Sequence, residues 1–228
     1  MIPYKDLHPS GRYPGVTILL IAVNVAVFLY QSFLPEQMET SFIYKYAVIP
    51  LELKLHQNLT FSPGLSPLYS VVTAMFLHGG WFHLGGNMLY LWIFGDNVED
   101  RMGHFRFLVF YLLCGIIATF AQVFAIFNST IPSLGASGAI AGVLAAYLRL
   151  FPRAKIAVLI PVFYFLRSII LPAWLVLGGW VLLQVLEARY MSQIPQTSGV
   201  AYFAHEGGFM AGLLLTPLFC NKNLSKKT

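Results

Sequence analysis

One serine hydroxyl sits in a run of small residues, Gly135-Ala136-Ser137-Gly138-Ala139-Ile140-Ala141-Gly142, inside an otherwise apolar stretch. A serine flanked by glycines where a helix begins has an exposed Oγ, room for another backbone nearby, and amide N–H groups directed at whatever binds. That is how a nucleophile would be presented. The same glycines would also make a ridge for packing one membrane helix against another, so this stretch alone leaves both readings open. His83, Asn87, His205 and Glu206 also stand out within apolar segments. Polar groups there are costly in hydrocarbon and are functional candidates by default. His83 and Asn87 are four apart and share a helix face, with Tyr90 continuing it, while His205, Gly208 and Gly212 fall on one face of another helix. Two helices with such small surfaces can bring Ser137 Oγ within hydrogen-bond reach of His205, the minimum geometry for an activated serine.

The elements that must position these residues are set by composition. The chain is 57% hydrophobic and 10% charged, with mean hydropathy +0.70, whereas soluble domains carry about 25% charged residues. It reads as an all-α integral membrane protein, one domain over 1–228, with spans at 16–34, 81–95, 107–127, 136–151, 169–187 and 199–219. Residues 35–70 mix charges with aromatics and are expected to lie in the membrane interface; 97–106 reads as a short charged turn, where Glu99, Asp100 and Arg101, with Asp96 just before it, cap and pair. Residues 156–165 are too few to span and read as a second interfacial stretch.

The net charge of +5 does not point to nucleic acid here, because the basic residues fall at the ends of apolar segments. Eleven of the 14 Lys and Arg lie on one side, against Lys45, Lys54 and Arg189 on the other. That asymmetry puts both termini, 1–14 and 220–228, in the cytoplasm, with a bacterial inner membrane as the expected compartment. Cys114 and Cys220 suggest neither a disulfide framework nor a metal site. Sequons at Asn58 and Asn128 are too short a pattern to carry weight.

With the N-terminus inside, the second, fourth and sixth spans all run from outside to inside. His83, Asn87, Ser137 and His205 each fall within about two turns of a helix start, so they share one depth beneath the outer surface. The positive ends of three helix dipoles then converge there, which suits an oxyanion. A polar depression wetted by His78, His83 and Asn87 is expected at that level.

Three segments, Leu77-His78-Gly79-Gly80-Trp81-Phe82-His83-Leu84-Gly85-Gly86-Asn87, Gly135-Ala136-Ser137-Gly138 and Ala204-His205-Glu206-Gly207-Gly208-Phe209-Met210-Ala211-Gly212, together resemble the signature motifs of rhomboid intramembrane serine proteases in order and spacing. The resemblance implies a six-transmembrane-helix rhomboid-like bundle with a long, partly interfacial first loop. It implies Ser137 as nucleophile, His205 as general base, and His83 and Asn87 as oxyanion donors beside the Ser137 amide. His78, Gly135 and Gly138 would line the site or retain water. The implied substrate is a transmembrane segment of another protein, cut near its outer end, with no cofactor or metal; the oligomeric state is left open.

Where many members carry an aromatic residue four after the serine, this chain has Ala141, so another group must orient His205. The first loop has no Trp-Arg pair, and Glu206 is unusual directly after the histidine. These departures keep open an alternative, a weak or inactive rhomboid-like protein that binds membrane clients. A transporter or haem protein is disfavoured by the lack of an inverted repeat and of histidines placed for axial ligation.

Overall fold

A computed structural model describes residues 1–57, 66–162, 165–191 and 201–220, without the side chains of Val162 and Met191. Asn58 and the basic residues Lys222, Lys226 and Lys227 lie outside the described residues. Helices α1 (Gly15–Ser32), α5 (Trp81–Met102), α6 (His104–Ala125), α7 (Ser137–Leu150), α8 (Ala173–Met191) and α9 (Tyr202–Phe219) occupy the six expected apolar segments. Of these, α1 and α6 are both long and apolar enough to cross a bilayer on that criterion alone, and α7 is a shorter apolar helix.

The first loop is built of α2 (Glu36–Tyr46), α3 (Pro50–Leu55) and α4 (Pro67–Thr73), the last running into a 3-10 turn at Ala74–Phe76. Val48 and Ser133 exchange backbone hydrogen bonds at 3.0 and 2.7 Å, and Leu51 N–H donates to the Ser129 carbonyl at 3.1 Å. The loop is thereby fastened to the link that leads into α7.

The expectation of a purely helical chain needs correction. Strands β1 (Ile2–Asp6), β2 (Lys155–Val162) and β3 (Phe165–Pro172) form a 3-stranded antiparallel sheet in the order β1-β2-β3. Residues 155–172 are rich in β-branched side chains, which fit a pleated surface. Ile156 and Val158 turn inward and are fully buried, facing Leu171 and Ile169 across the ladder. The stretch taken as interfacial is therefore a hairpin, the fifth helix begins at Ala173 rather than 169, and part of the N-terminal tail is a strand. Asp6 pins that strand to the bundle: its Oδ2 accepts from Asn97 Nδ2 and from Tyr147 Oη, both at 2.7 Å. Burial pushes the Asp6 carboxyl above the ordinary range, although the Tyr147 hydroxyl works against that shift.

The charged turn at 97–106 is also corrected, since α5 continues through Met102 and breaks only at Gly103, whose φ of +80° is left-handed. Pairing is what lets these charges remain helical. Glu99, 1% exposed, accepts from Val16 N–H at 2.9 Å, Thr17 N–H at 2.8 Å and Thr17 Oγ at 2.7 Å, and meets His104 Nδ1 at 2.5 Å. It supplies the N-terminal cap that α1 lacks, because Pro14 at the cap position makes no side-chain cap bond.

The helix core is densest where α6, α7 and α9 meet. A Cβ on Gly142 would come 2.5 Å from Cys114 Cβ, and one on Gly138 would come 2.6 Å from Ala118 Cβ. Cβ atoms on Gly208 and Gly212 would overlap the carbonyls of Gly138 and Gly142. The small-residue ridges thus hold two backbones in contact.

Candidate active site

Ser137 is the first residue of α7, where the leading N–H groups of a helix have no partners within it. Gly135 before it has φ +124°, a left-handed conformation that favours glycine, and its N–H donates to the Ala74 carbonyl at 2.8 Å. The first loop therefore anchors the turn that presents the serine.

His205 lies on the second turn of α9, on the face that Gly208 presses against α7. Its Nε2 is 2.8 Å from Ser137 Oγ and its Nδ1 is 2.5 Å from Gln184 Oε1 on α8. Gln184 Nε2 in turn donates to Glu187 Oε2 at 3.2 Å. Above the imidazole, the Trp180 ring stands at 5.8 Å with an interplanar angle of 41°, and Tyr202 approaches edge-on at 6.4 Å. The aromatic neighbour absent at Ala141 thus comes from α8, another helix.

On α5, His83 Nδ1 accepts from the Gly79 N–H at 3.3 Å, which in the neutral ring leaves the proton on Nε2. That Nε2 faces Gly135 so closely that a Cβ there would lie 2.8 Å away. Asn87 is buried and its Nδ2 has no hydrogen-bond partner among the described residues, leaving a donor to spare there. A cavity of about 670 Å³ brings these groups together, lined by His83, Asn87, Ser137, Gln184, Glu187 and His205 among others. It holds a hydroxyl, an imidazole nitrogen touching it, and polar donors nearby, the arrangement that an activated serine would need.

The supporting residues fall differently from expectation. His78 does not line this cavity. It is fully buried behind His83, ring centroids 5.1 Å apart, in a T-shaped contact with Phe28 and with neither ring nitrogen bonded among the described residues. Gly138 is turned away from the cavity and packs on Ala118; with Gly135 and Ser137 it borders a separate void of about 20 Å³, room for one water. Glu206 is absent from the cavity lining, and its buried Oε1 has no hydrogen-bond partner among the described residues. Among the described residues no three His, Cys, Asp or Glu side chains cluster to hold a metal.

Gln184, Glu187 and Trp180 were not anticipated. A signal existed, because they recur at i, i+4 and i+7 in the fifth apolar segment and so occupy one helix face.

The chain matches the Rhomboid domain over residues 66–222. It is 31% identical over 224 residues to Rhomboid protein 1, mitochondrial, of Saccharomyces cerevisiae, covering 92% of this chain and 54% of that one. It is 32% identical over 157 residues to Rhomboid-like protein 11, chloroplastic, of Arabidopsis thaliana, covering 64% and 51%. With the human Presenilin-associated rhomboid-like protein, mitochondrial, it shares 30% over 197 residues, covering 85% and 45%. The chain spans about half the length of these relatives. Their names place them in mitochondria and chloroplasts, at odds with the bacterial inner membrane expected for this chain; the broader expectation of an integral membrane protein holds. With its three motifs inside the matched region and its helices in the expected segments, the chain belongs to the rhomboid family.

Proposed function

We propose that this chain is an intramembrane serine endopeptidase, crossing the bilayer six times with both termini cytoplasmic, that cuts transmembrane segments of other proteins near their extracytoplasmic ends. The observation that carries the reading is the 2.8 Å approach of Ser137 Oγ to His205 Nε2 inside a cavity with unused donors. Ser137 Oγ attacks the scissile carbonyl carbon while His205 Nε2 takes its proton. Asn87 Nδ2, His83 Nε2–H and the Ser137 N–H receive the oxyanion. Collapse releases the amine with the proton from His205, and water, activated by the same imidazole, frees the acyl group from Ser137. The partners are membrane-protein substrates and the bilayer itself.

A fluorophosphonate probe tests this directly, since it reacts with an activated serine whatever the natural substrate. Labelling of the wild type and none of Ser137→Ala is the expected result. A folded wild type that takes up no probe would overturn the reading and favour the client-binding alternative.

A further inference from the structure

Three polar groups continue outward from Ser137 in a single line: His205, then Gln184, then Glu187. The order in which donors and acceptors can be arranged along this line has one solution. A Glu187 carboxylate only accepts, so the end of the Gln184 amide that faces it must be the NH2. The other end, Oε1, then faces His205 Nδ1 and can only accept. Nδ1 must therefore carry the hydrogen of the neutral imidazole, and Nε2 is left with a lone pair toward the Ser137 hydroxyl. The opposite tautomer would set an N–H against the serine and a bare nitrogen against a carbonyl oxygen. The tilted Trp180 ring beside the imidazole can restrain it but does not choose between the two nitrogens.

We propose that Gln184, its amide oriented by Glu187, is a positioning residue that keeps His205 in the tautomer able to accept the Ser137 proton. The inference rests on the reading of Ser137 and His205 as nucleophile and base. When the proton passes from Ser137 Oγ to Nε2, Nδ1–H remains bonded to Gln184 Oε1 and no proton moves onto the amide. Gln184 stands where a serine hydrolase often has a carboxylate, yet it places no second formal charge beside the imidazole. Glu187, a turn further along α8, fixes the amide without touching the ring.

The test uses full-length protein and a fluorophosphonate, with maximal inactivation rate and apparent affinity measured separately. Gln184→Leu is expected to lower the maximal rate about 10- to 100-fold, the effect of one lost hydrogen bond to an imidazole that becomes charged, with affinity unchanged. The exchanged pair, Gln184→Glu with Glu187→Gln, restores the order of donors and acceptors and is expected to recover most of that loss. A folded Gln184→Leu protein that labels at the wild-type rate overturns the proposal. Nitrogen NMR on histidine-labelled wild type reads the tautomer without altering Gln184 or Glu187, with the His205 signals assigned by difference from folded His205→Ala. Protonated Nδ1 and bare Nε2 are expected, and a protonated Nε2 with bare Nδ1 overturns the proposal. Failure of the protease reading itself looks different, because the wild type would then not label at all.

Discussion

Gly208 of α9 faces the carbonyl of Gly138 of α7 with no space for a methyl group between them. This backbone contact joins the residue next to Ser137 with the residue one turn beyond His205, so the spacing of the two helices there fixes how closely oxygen and nitrogen meet. In an isolated helix Gly→Ala gains about 1 kcal/mol, whereas forcing a methyl into a packed contact costs roughly 1–3 kcal/mol. Gly208→Ala is therefore expected to lower the melting temperature. Probe labelling should fall by more than the lost fraction of folded protein explains, because the displaced α9 carries His205 away from Ser137.

Asn87 offers the opposite combination. Its buried Nδ2 has no partner among the described residues, so removing it breaks no hydrogen bond made by that group with them. If the oxyanion is its partner, Asn87→Ala should leave the melting temperature close to wild type and slow inactivation by the probe about 10²- to 10³-fold. Equal losses of stability and rate would instead assign Asn87 to packing.

The polar groups that the cavity gathers were legible because polar side chains in greasy segments are few and their positions near helix starts pointed to a common level. Ser137, His205, His83 and Asn87 all announce themselves in this way. Gln184 did not, for an uncharged amide between Leu183 and Val185 reads as an ordinary interruption of an apolar run. The sheet was hidden for a different reason. Residues 156–160 are a short apolar run that periodicity cannot distinguish from buried helix, and the strand that completes the sheet, Ile2–Asp6, lies at the far end of the chain. Charged residues at 99–101 suggested a turn, yet Glu99 is buried because its partners come from α1. Local sequence names no such distant partner.

Glu99 should accordingly be a stability residue with no catalytic effect. It lies toward the opposite end of α5 from His83 and holds the first two free N–H groups of α1. Glu99→Ala removes a charged acceptor from three donors, at roughly 1.5–3 kcal/mol for a hydrogen bond to a charged group. Since the losses overlap, a total of about 2–4 kcal/mol is expected. Thermal unfolding checks the size of the loss. Labelling of the variant at a temperature where it remains folded should match the wild type.

Asp6 predicts how stability responds to pH. Burial raises its carboxyl above the unfolded value, so over the interval between the two the folded chain binds more protons than the unfolded one. Unfolding free energy then falls as pH rises through that interval, and this contribution is largest when Asp6 is protonated. Asp6→Asn should remove that part of the slope. It should also lower stability at every pH, because an amide keeps one acceptor oxygen where the carboxylate serves His8 N–H on Oδ1 and Asn97 and Tyr147 on Oδ2. Melting curves of both proteins from about pH 4 to 8, across the range in which buried carboxylates titrate, measure the two effects. An unchanged slope in the variant would mean that Asp6 is ionised in folded and unfolded chains alike over that range.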